Sequence, residues 1–264
     1  MIKVKVKDIT KVFHSKNGNN GTNGCVEALG GINLEVRTGE FLALVGPSGC
    51  GKSTFLEILG GLIKPSCGSI YIDGKAVNGP NHDRGIVFQG YALFPWRTVT
   101  ENIAYGLEEK GIPKTTRTEI CKKYISLVGL SGFESHYPYQ LSGGMKQRVA
   151  IARALAYDPD ILLMDEPFAA LDAQTRDTLQ GEVLRIWEET KKTVLFVTHN
   201  IEEAVFLADR IAVMSARPGI IKRIIDIPLS RPRFEDFRTS QDFIKLRQEV
   251  GYIVREEAKF TANS

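Results

Sequence analysis

The stretch Gly46-Pro47-Ser48-Gly49-Cys50-Gly51-Lys52-Ser53-Thr54 constrains this chain more than any other. It reads G-x-x-x-x-G-K-S-T. Before it lies an apolar run, residues 41–45, suited to a buried strand, and after it residues 54–59, suited to a helix. That strand–loop–helix order makes a Gly-rich segment into a phosphate cradle. Gly46, Gly49 and Gly51 permit backbone angles that a side chain would block. The loop's amide N–H groups then point inward, and the helix N-terminus adds unpaired donors and the positive end of its dipole. Lys52 supplies a point charge for the outer phosphates and Ser53 a hydroxyl for Mg²⁺. The bland alternative is a glycine turn between a strand and a helix, and the flanking elements weigh against it.

Further chemistry clusters at the ends of other apolar runs. Asp165 and Glu166 close residues 161–164, a short continuous run expected of a central parallel strand. In P-loop NTPases a carboxylate at that place holds Mg²⁺ opposite the P-loop serine, and a neighbouring one can take a proton from an attacking water. Gln89 follows the apolar residues 86–88, where an amide can coordinate Mg²⁺ or orient water. His199 follows the run 193–198, where an imidazole can hydrogen-bond a γ-phosphate; a capping or surface histidine is the plainer alternative. Ser142, Gly143 and Gly144 precede a helical pattern at residues 146–157, with Ser142 as its N-cap, and form a second anion-binding candidate. The P-loop already wraps its own phosphates. A second phosphate-facing element therefore implies a composite site shared between two subunits.

The rest of the chain reads as α/β. Residues 2–7 alternate lysine with apolar residues, as an edge strand does, Phe13 ends a second short strand, and residues 14–24 read as a flexible turn. Residues 32–36 and 69–72 are further strands. Residues 91–96 form an aromatic loop, and residues 113–128 have helical spacing. Helices at 173–190 and 201–208 alternate with strands at 193–198, 211–214 and 220–227. A tail, residues 228–264, starts at Arg231-Pro232-Arg233 and ends in a charged helical pattern. Strands alternating with helices give a predominantly parallel core. Lys and Arg total 34 against 31 Asp and Glu, a balance that does not point to nucleic acid. No apolar run reaches the ~18 residues of a membrane span, and the lysine-rich start is unlike a secretory signal. Cys25, Cys50, Cys67 and Cys121 lack metal-finger spacing, so neither a structural metal nor a disulfide framework is expected. Cys50 reads as a tolerated small residue within the loop.

Together these motifs resemble the nucleotide-binding subunit of an ATP-binding cassette (ABC) transporter. Residues 46–54 match Walker A, Gln89 the Q-loop, Leu141-Ser142-Gly143-Gly144-Met145 the signature, residues 161–166 Walker B, Ala169-Ala170-Leu171-Asp172 the D-loop, and His199 the switch histidine. They occur in the family's order and span residues from about 1 to 225. The resemblance implies a P-loop NTPase fold: a RecA-like parallel core, an antiparallel β-subdomain, and an inserted helical subdomain at about residues 90–150. Residues 1–230 would be the ATPase domain and 231–264 a tail with a helix.

The resemblance also implies roles, with ATP and Mg²⁺ as substrate and cofactor. Phe13 would stack on adenine, with His14 a weaker candidate. Residues 46–54, among them Pro47, Ser48 and Cys50, would surround the phosphates. Lys52, Ser53 and Thr54 would contact phosphate and metal, Gln89 and Asp165 would support the metal, and Glu166 would be the general base beside His199. Ser142, Gly143 and Gly144 would face the ATP of a partner subunit, and Asp172 would help join the two halves. Met145 stands where the family usually has glutamine, which bears on dimer coupling rather than on nucleotide binding.

A finer resemblance is to importers of nitrate, sulfonates and taurine, carried by Leu93-Phe94-Pro95-Trp96, by Lys146-Gln147-Arg148 after the signature, and by residues 228–233. It implies a homodimer or paired ATPase held peripherally at the cytoplasmic face of the membrane. Residues 91–96, from Tyr91 to Trp96, would contact a transmembrane permease, and an external solute-binding protein would act indirectly. A soluble non-transport ABC ATPase would carry long coiled-coil insertions or two cassettes in one chain. A nucleotide-sensing module would be expected to lack Glu166 or His199, and this chain has both.

Overall fold

The computed structural model describes residues 1–15 and 24–262, so most of the expected turn at 14–24 lies outside the described residues. The chain forms two compact units, Met1–Asn81 with Thr193–Ser264, and His82–Lys192. The first unit opens with β1 (Ile2–Ser15), β2 (Gly24–Arg37), β3 (Phe41–Val45), α1 (Lys52–Leu59), β4 (Cys67–Ile72) and β5 (Lys75–Ala76). The second holds β6 (Arg84–Val87), α2 (Val99–Glu109), α3 (Lys114–Leu127), α4 (Gly143–Ala156), β7 (Ile161–Asp165) and α5 (Ala173–Thr190). The chain then returns to the first unit as β8 (Thr193–Val197), α6 (Ile201–Leu207), β9 (Arg210–Met214), β10 (Ile221–Asp226) and α7 (Gln241–Ala262).

In the first unit an antiparallel sheet runs β2-β1-β4-β5. The sequence reads residues 2–7 as an edge strand and a second short strand ending at Phe13, with a turn from residue 14. The structure corrects this to one strand, β1, paired on one side with β2 and on the other with β4. The physical cause is a bulge. Asp8 takes φ +46°, and Asn33 accepts from its N–H at 3.1 Å and donates to its carboxylate at 2.6 Å. The extra residue shifts the register between Val6 and Ile9, so the alternation restarts and looks like a break.

The parallel part of this unit is built on β3, whose residues are all buried. It lies between β8 and β9, parallel to both, and β10 pairs antiparallel with β9. A strand buried on both faces needs the continuous apolar run that residues 41–45 provide. Asp209 anchors its start, accepting from the Phe41 N–H at 2.9 Å. α7 contributes Phe243 and Val250, both fully buried, to the core of this unit.

In the second unit β6 and β7 pair in parallel, from Arg84 opposite Ile161 to Val87 opposite Met164. α2 starts in a capping box in which Thr98 and Glu101 bond reciprocally. α4 begins at Gly143, three residues before the helix that sequence spacing suggests at 146. Ser142 caps it, and the two glycines that read as loop form its first turn. Buried Asn102 fixes the aromatic loop. Its Oδ1 accepts from Phe94 N at 2.9 Å, and its Nδ2 donates to the carbonyls of Phe94, Arg97 and Thr98 at 2.9–3.2 Å.

Candidate functional site

The first unit places residues 46–54 where β3 gives way to α1. Gly51 is the helix N-cap at φ +103° and offers no side-chain cap, so no side chain of its own occupies the helix-end donors. Gly49 is also left-handed, at φ +75°. The loop rests on a tight bed. A Cβ at Gly51 would meet Leu29 Cδ2 at 2.7 Å and the Ala28 carbonyl at 2.8 Å, and one at Gly46 would meet the Met214 carbonyl at 2.9 Å. Arg217 donates to the Gly49 carbonyl through Nη2 at 3.0 Å. Lys52 is buried inside the loop and donates to the carbonyls of Gly46 and Pro47, both at 2.9 Å. Burial pushes the Cys50 thiol above its ordinary value, with Lys52 pulling less strongly the other way. The thiol therefore stays protonated at neutral pH and behaves as packing.

This geometry fits a polyphosphate: a ring of backbone held open by glycines, an uncapped helix end and one buried ammonium. His199 stands at the same sheet edge. Thr198 follows β8 and donates its N–H to Leu44 of β3 at 3.2 Å, so His199 and Gly46 leave the carboxyl ends of adjacent parallel strands. His199 is exposed, and Asn200 caps the helix behind it by accepting from Glu202 N at 2.9 Å. Phe13 lies on β1 opposite Val26. It is 44% exposed, with Lys11 Nζ 5.1 Å from its ring centroid, so it is not a core residue. His14 Nδ1 lies 3.1 Å from Cys25 Sγ on the facing strand.

The second unit gathers the other candidates in two groups. Gln89 and the pair Asp165–Glu166 leave the same end of the neighbouring strands β6 and β7. Gln89 is exposed, while Asp165 and Glu166 are half-buried. Glu166 takes φ +42°, a left-handed value that costs a non-glycine residue on the order of 1 kcal/mol or more. The second group surrounds two helix starts. Ser142 caps α4 by accepting from Met145 N at 3.3 Å, and Asp172 caps α5 by accepting from Thr175 N at 3.0 Å. That bond holds the Asp172 carboxyl below its ordinary range. Gly144 lets the two helices approach, since a Cβ there would stand 2.5 Å from Thr175 Cγ2.

Two features escape sequence reasoning. Gly219 reads only as part of a turn, yet a Cβ on it would sit 2.2 Å from the Cys50 carbonyl. Arg153 of α4 donates to the carbonyls of Ala92 and Tyr91 at 2.6 and 3.0 Å. It thereby ties the aromatic loop to the helix that Ser142 opens. Nothing in the residues around Arg153 signals this, because its partners are backbone oxygens distant in the chain.

The family model described as ABC transporter matches residues 29–169. An uncharacterised ABC transporter ATP-binding protein of Methanocaldococcus jannaschii is 58% identical over 97% of this chain and 92% of its own length. The nitrate import ATP-binding protein of a Synechocystis strain is 44% identical over 96% of this chain and 95% of its own. Among solved structures, an ATP-binding cassette in a dimeric post-hydrolysis state bound to ADP and Pi superposes with a TM-score of 0.74 at 37% identity. It covers 86% of this chain and all of that one.

The bed beneath the loop generates a test. Gly219→Ala would displace the Cys50 carbonyl and with it the ring of amide donors. Nucleotide affinity is expected to fall about tenfold, equivalent to ~1.4 kcal/mol. Titration with ATP checks this, and an unchanged dissociation constant would show that the bed does not shape the loop.

Proposed function

This chain belongs to the ABC transporter family as an ATP-hydrolysing subunit of the RecA-like P-loop class, and we propose that it drives solute import as a head-to-tail pair bound to a membrane permease. The carrying observation is the loop around buried Lys52: a cradle of backbone donors with an ammonium at its centre. In this reading the amides of residues 46–54 hold the phosphate chain of ATP. Lys52 exchanges its two carbonyl partners for the outer phosphate oxygens, and Phe13 stacks on the adenine. Ser53, Gln89 and Asp165 would hold Mg²⁺, which neutralises phosphate charge when bound. Glu166 orients the attacking water and accepts its proton, and His199 donates to the γ-phosphate oxygens.

In this reading a single copy would leave the outer face of the nucleotide open. Ser142, Gly143 and Gly144 of a second copy supply another helix end there, with Asp172 beside the junction. The dimeric cassette of similar fold supports this arrangement. Closure of the pair on ATP and its release after hydrolysis would be the power stroke.

No described helix is long and apolar enough to cross a membrane. Attachment at the cytoplasmic face would come through the permease. The contact surface would be the loop of Tyr91, Phe94 and Trp96. Trp96 is 71% exposed, while Phe94 is half-buried between Trp96 and Tyr105, with ring centroids 5.7 and 4.7 Å away. The similarity to a nitrate import subunit supports nitrate, a sulfonate, taurine or a similar small solute as cargo, delivered by an external binding protein.

Two tests follow from these assignments. Glu166→Gln is expected to bind ATP normally and lose about 10²–10⁴-fold in phosphate release; wild-type release would refute the base assignment. Replacing Phe94 and Trp96 together by Ala should abolish co-purification with membranes and leave the soluble chain's nucleotide binding intact. Undiminished co-purification would remove this loop from the docking surface.

A further inference from the structure

Four arginines of the C-terminal segment converge on α6, the helix that His199 precedes. At the helix's carboxyl end, buried Arg233 donates through Nη1 to the carbonyls of Val205, Phe206 and Ala208 at 3.1, 2.9 and 2.8 Å. Arg231 donates to the Leu207 carbonyl at 2.7 Å, and its Nε and Nη2 hold the Asp209 carboxylate at 2.9 and 2.8 Å. At the amino end, Glu202 accepts from Arg238 at 3.1 Å and from Arg247 of α7 at 3.2 Å. The Arg238 guanidinium also lies 4.2 Å from the centroid of the Phe206 ring.

A helix of seven residues is far below the ~12–15 at which an isolated helix becomes even marginal, so its position is set from outside. Its last-turn carbonyls lack intrahelical partners, and a planar guanidinium with several donors suits such a cluster. From within, Thr198 Oγ1 donates to Glu203 Oε2 at 2.6 Å and accepts from Asn200 N at 3.0 Å, which fixes the residues on either side of His199 to the first turn. His199 is thus held between the end of β8, where Thr198 bonds to Leu44, and the first turn of α6.

We propose that Arg238 and Arg233 are positioning residues for hydrolysis: the C-terminal segment grips both ends of α6 and so fixes where His199 stands. The proposal rests on the reading of His199 given above. It assigns to residues 229–247 a part in the reaction, although none of them is among the residues proposed to hold the nucleotide. A displacement of about 1 Å at a catalytic group can cost up to ~10²-fold in rate, so a loosened grip reads out in turnover.

Arg238 is the better variant to test, because Arg233 is buried and its loss risks the fold. In the full-length chain, Arg238→Ala is expected to lower kcat for ATP about tenfold with KM for ATP within about twofold, and Arg238→Lys to restore at least half of the loss. Adding Arg238→Ala to His199→Ala is expected to lower the residual rate no further, because both changes act through one group. Wild-type kcat in Arg238→Ala, a loss that tracks the unfolded fraction seen by circular dichroism, or full additivity with His199→Ala each overturns the proposal. If His199→Ala alone hydrolyses ATP at the wild-type rate, the reading of His199 fails and the proposal falls with it. If His199→Ala is inactive and Arg238→Ala is normal, the proposal alone falls.

Discussion

The structure depends on a loop of backbone amides held open against the tendency of a buried chain to satisfy its own polar groups. The glycines of residues 46–51 sit so close to Ala28 and Leu29 and to Met214 that a side chain there would clash, and Gly219 lies equally close beneath Cys50. Two segments distant from the loop in sequence, Ala28–Leu29 and Met214–Gly219, thus form one bed, and the antiparallel sheet takes part in it through Leu29, bridged to Gly219. Lys52 donates to two carbonyls of the loop itself. A buried ammonium beside two carbonyls and the Cys50 thiol, 3.8 Å away, suits an incoming phosphate, which supplies an opposite charge.

A second consequence lies in how the second unit spends its polar side chains. Asn102 and Arg153 both bond to backbone of residues 91–98 rather than to other side chains. Tyr91 and Ala92 have φ of +60° and +48°, a costly conformation for residues with a Cβ. Burial lowers the Arg153 pKa from its ordinary value, yet two carbonyls receive its guanidinium. The loop after Gln89 is thereby one mechanical piece with α4, the helix that Ser142 begins. A permease pressing on Trp96 would act on the helix end proposed to face the partner's nucleotide, without any longer pathway.

Much of the fold was legible in the sequence, because it depends on local rules. Residues 173–190 read as a helix and are one, since Asp172 caps the start and Lys191, at φ +51°, ends it. The continuous apolar runs at 41–45 and 161–164 became β3 and β7. The errors also have local causes. The bulge at Asp8 breaks an alternation that the strand itself does not break, and the glycines of α4's first turn resemble loop because packing against Thr175, not propensity, places them in a helix. Gly219, Asn102, Arg153 and Arg233 were illegible for a different reason. Gly219, Arg153 and Arg233 act on backbone atoms far away in sequence and Asn102 on carbonyls four to eight residues before it, and no pattern of residue types reports a backbone carbonyl as a partner.

The central claim is that each chain wraps the phosphates with its own loop and depends on a second copy's Ser142 helix end to complete the pocket. Sedimentation velocity of full-length Glu166→Gln tests it most directly, with and without saturating ATP and Mg²⁺. The account predicts monomers without nucleotide and a dimer with it. A chain that stays monomeric at saturating ATP while titration shows the nucleotide bound would contradict it.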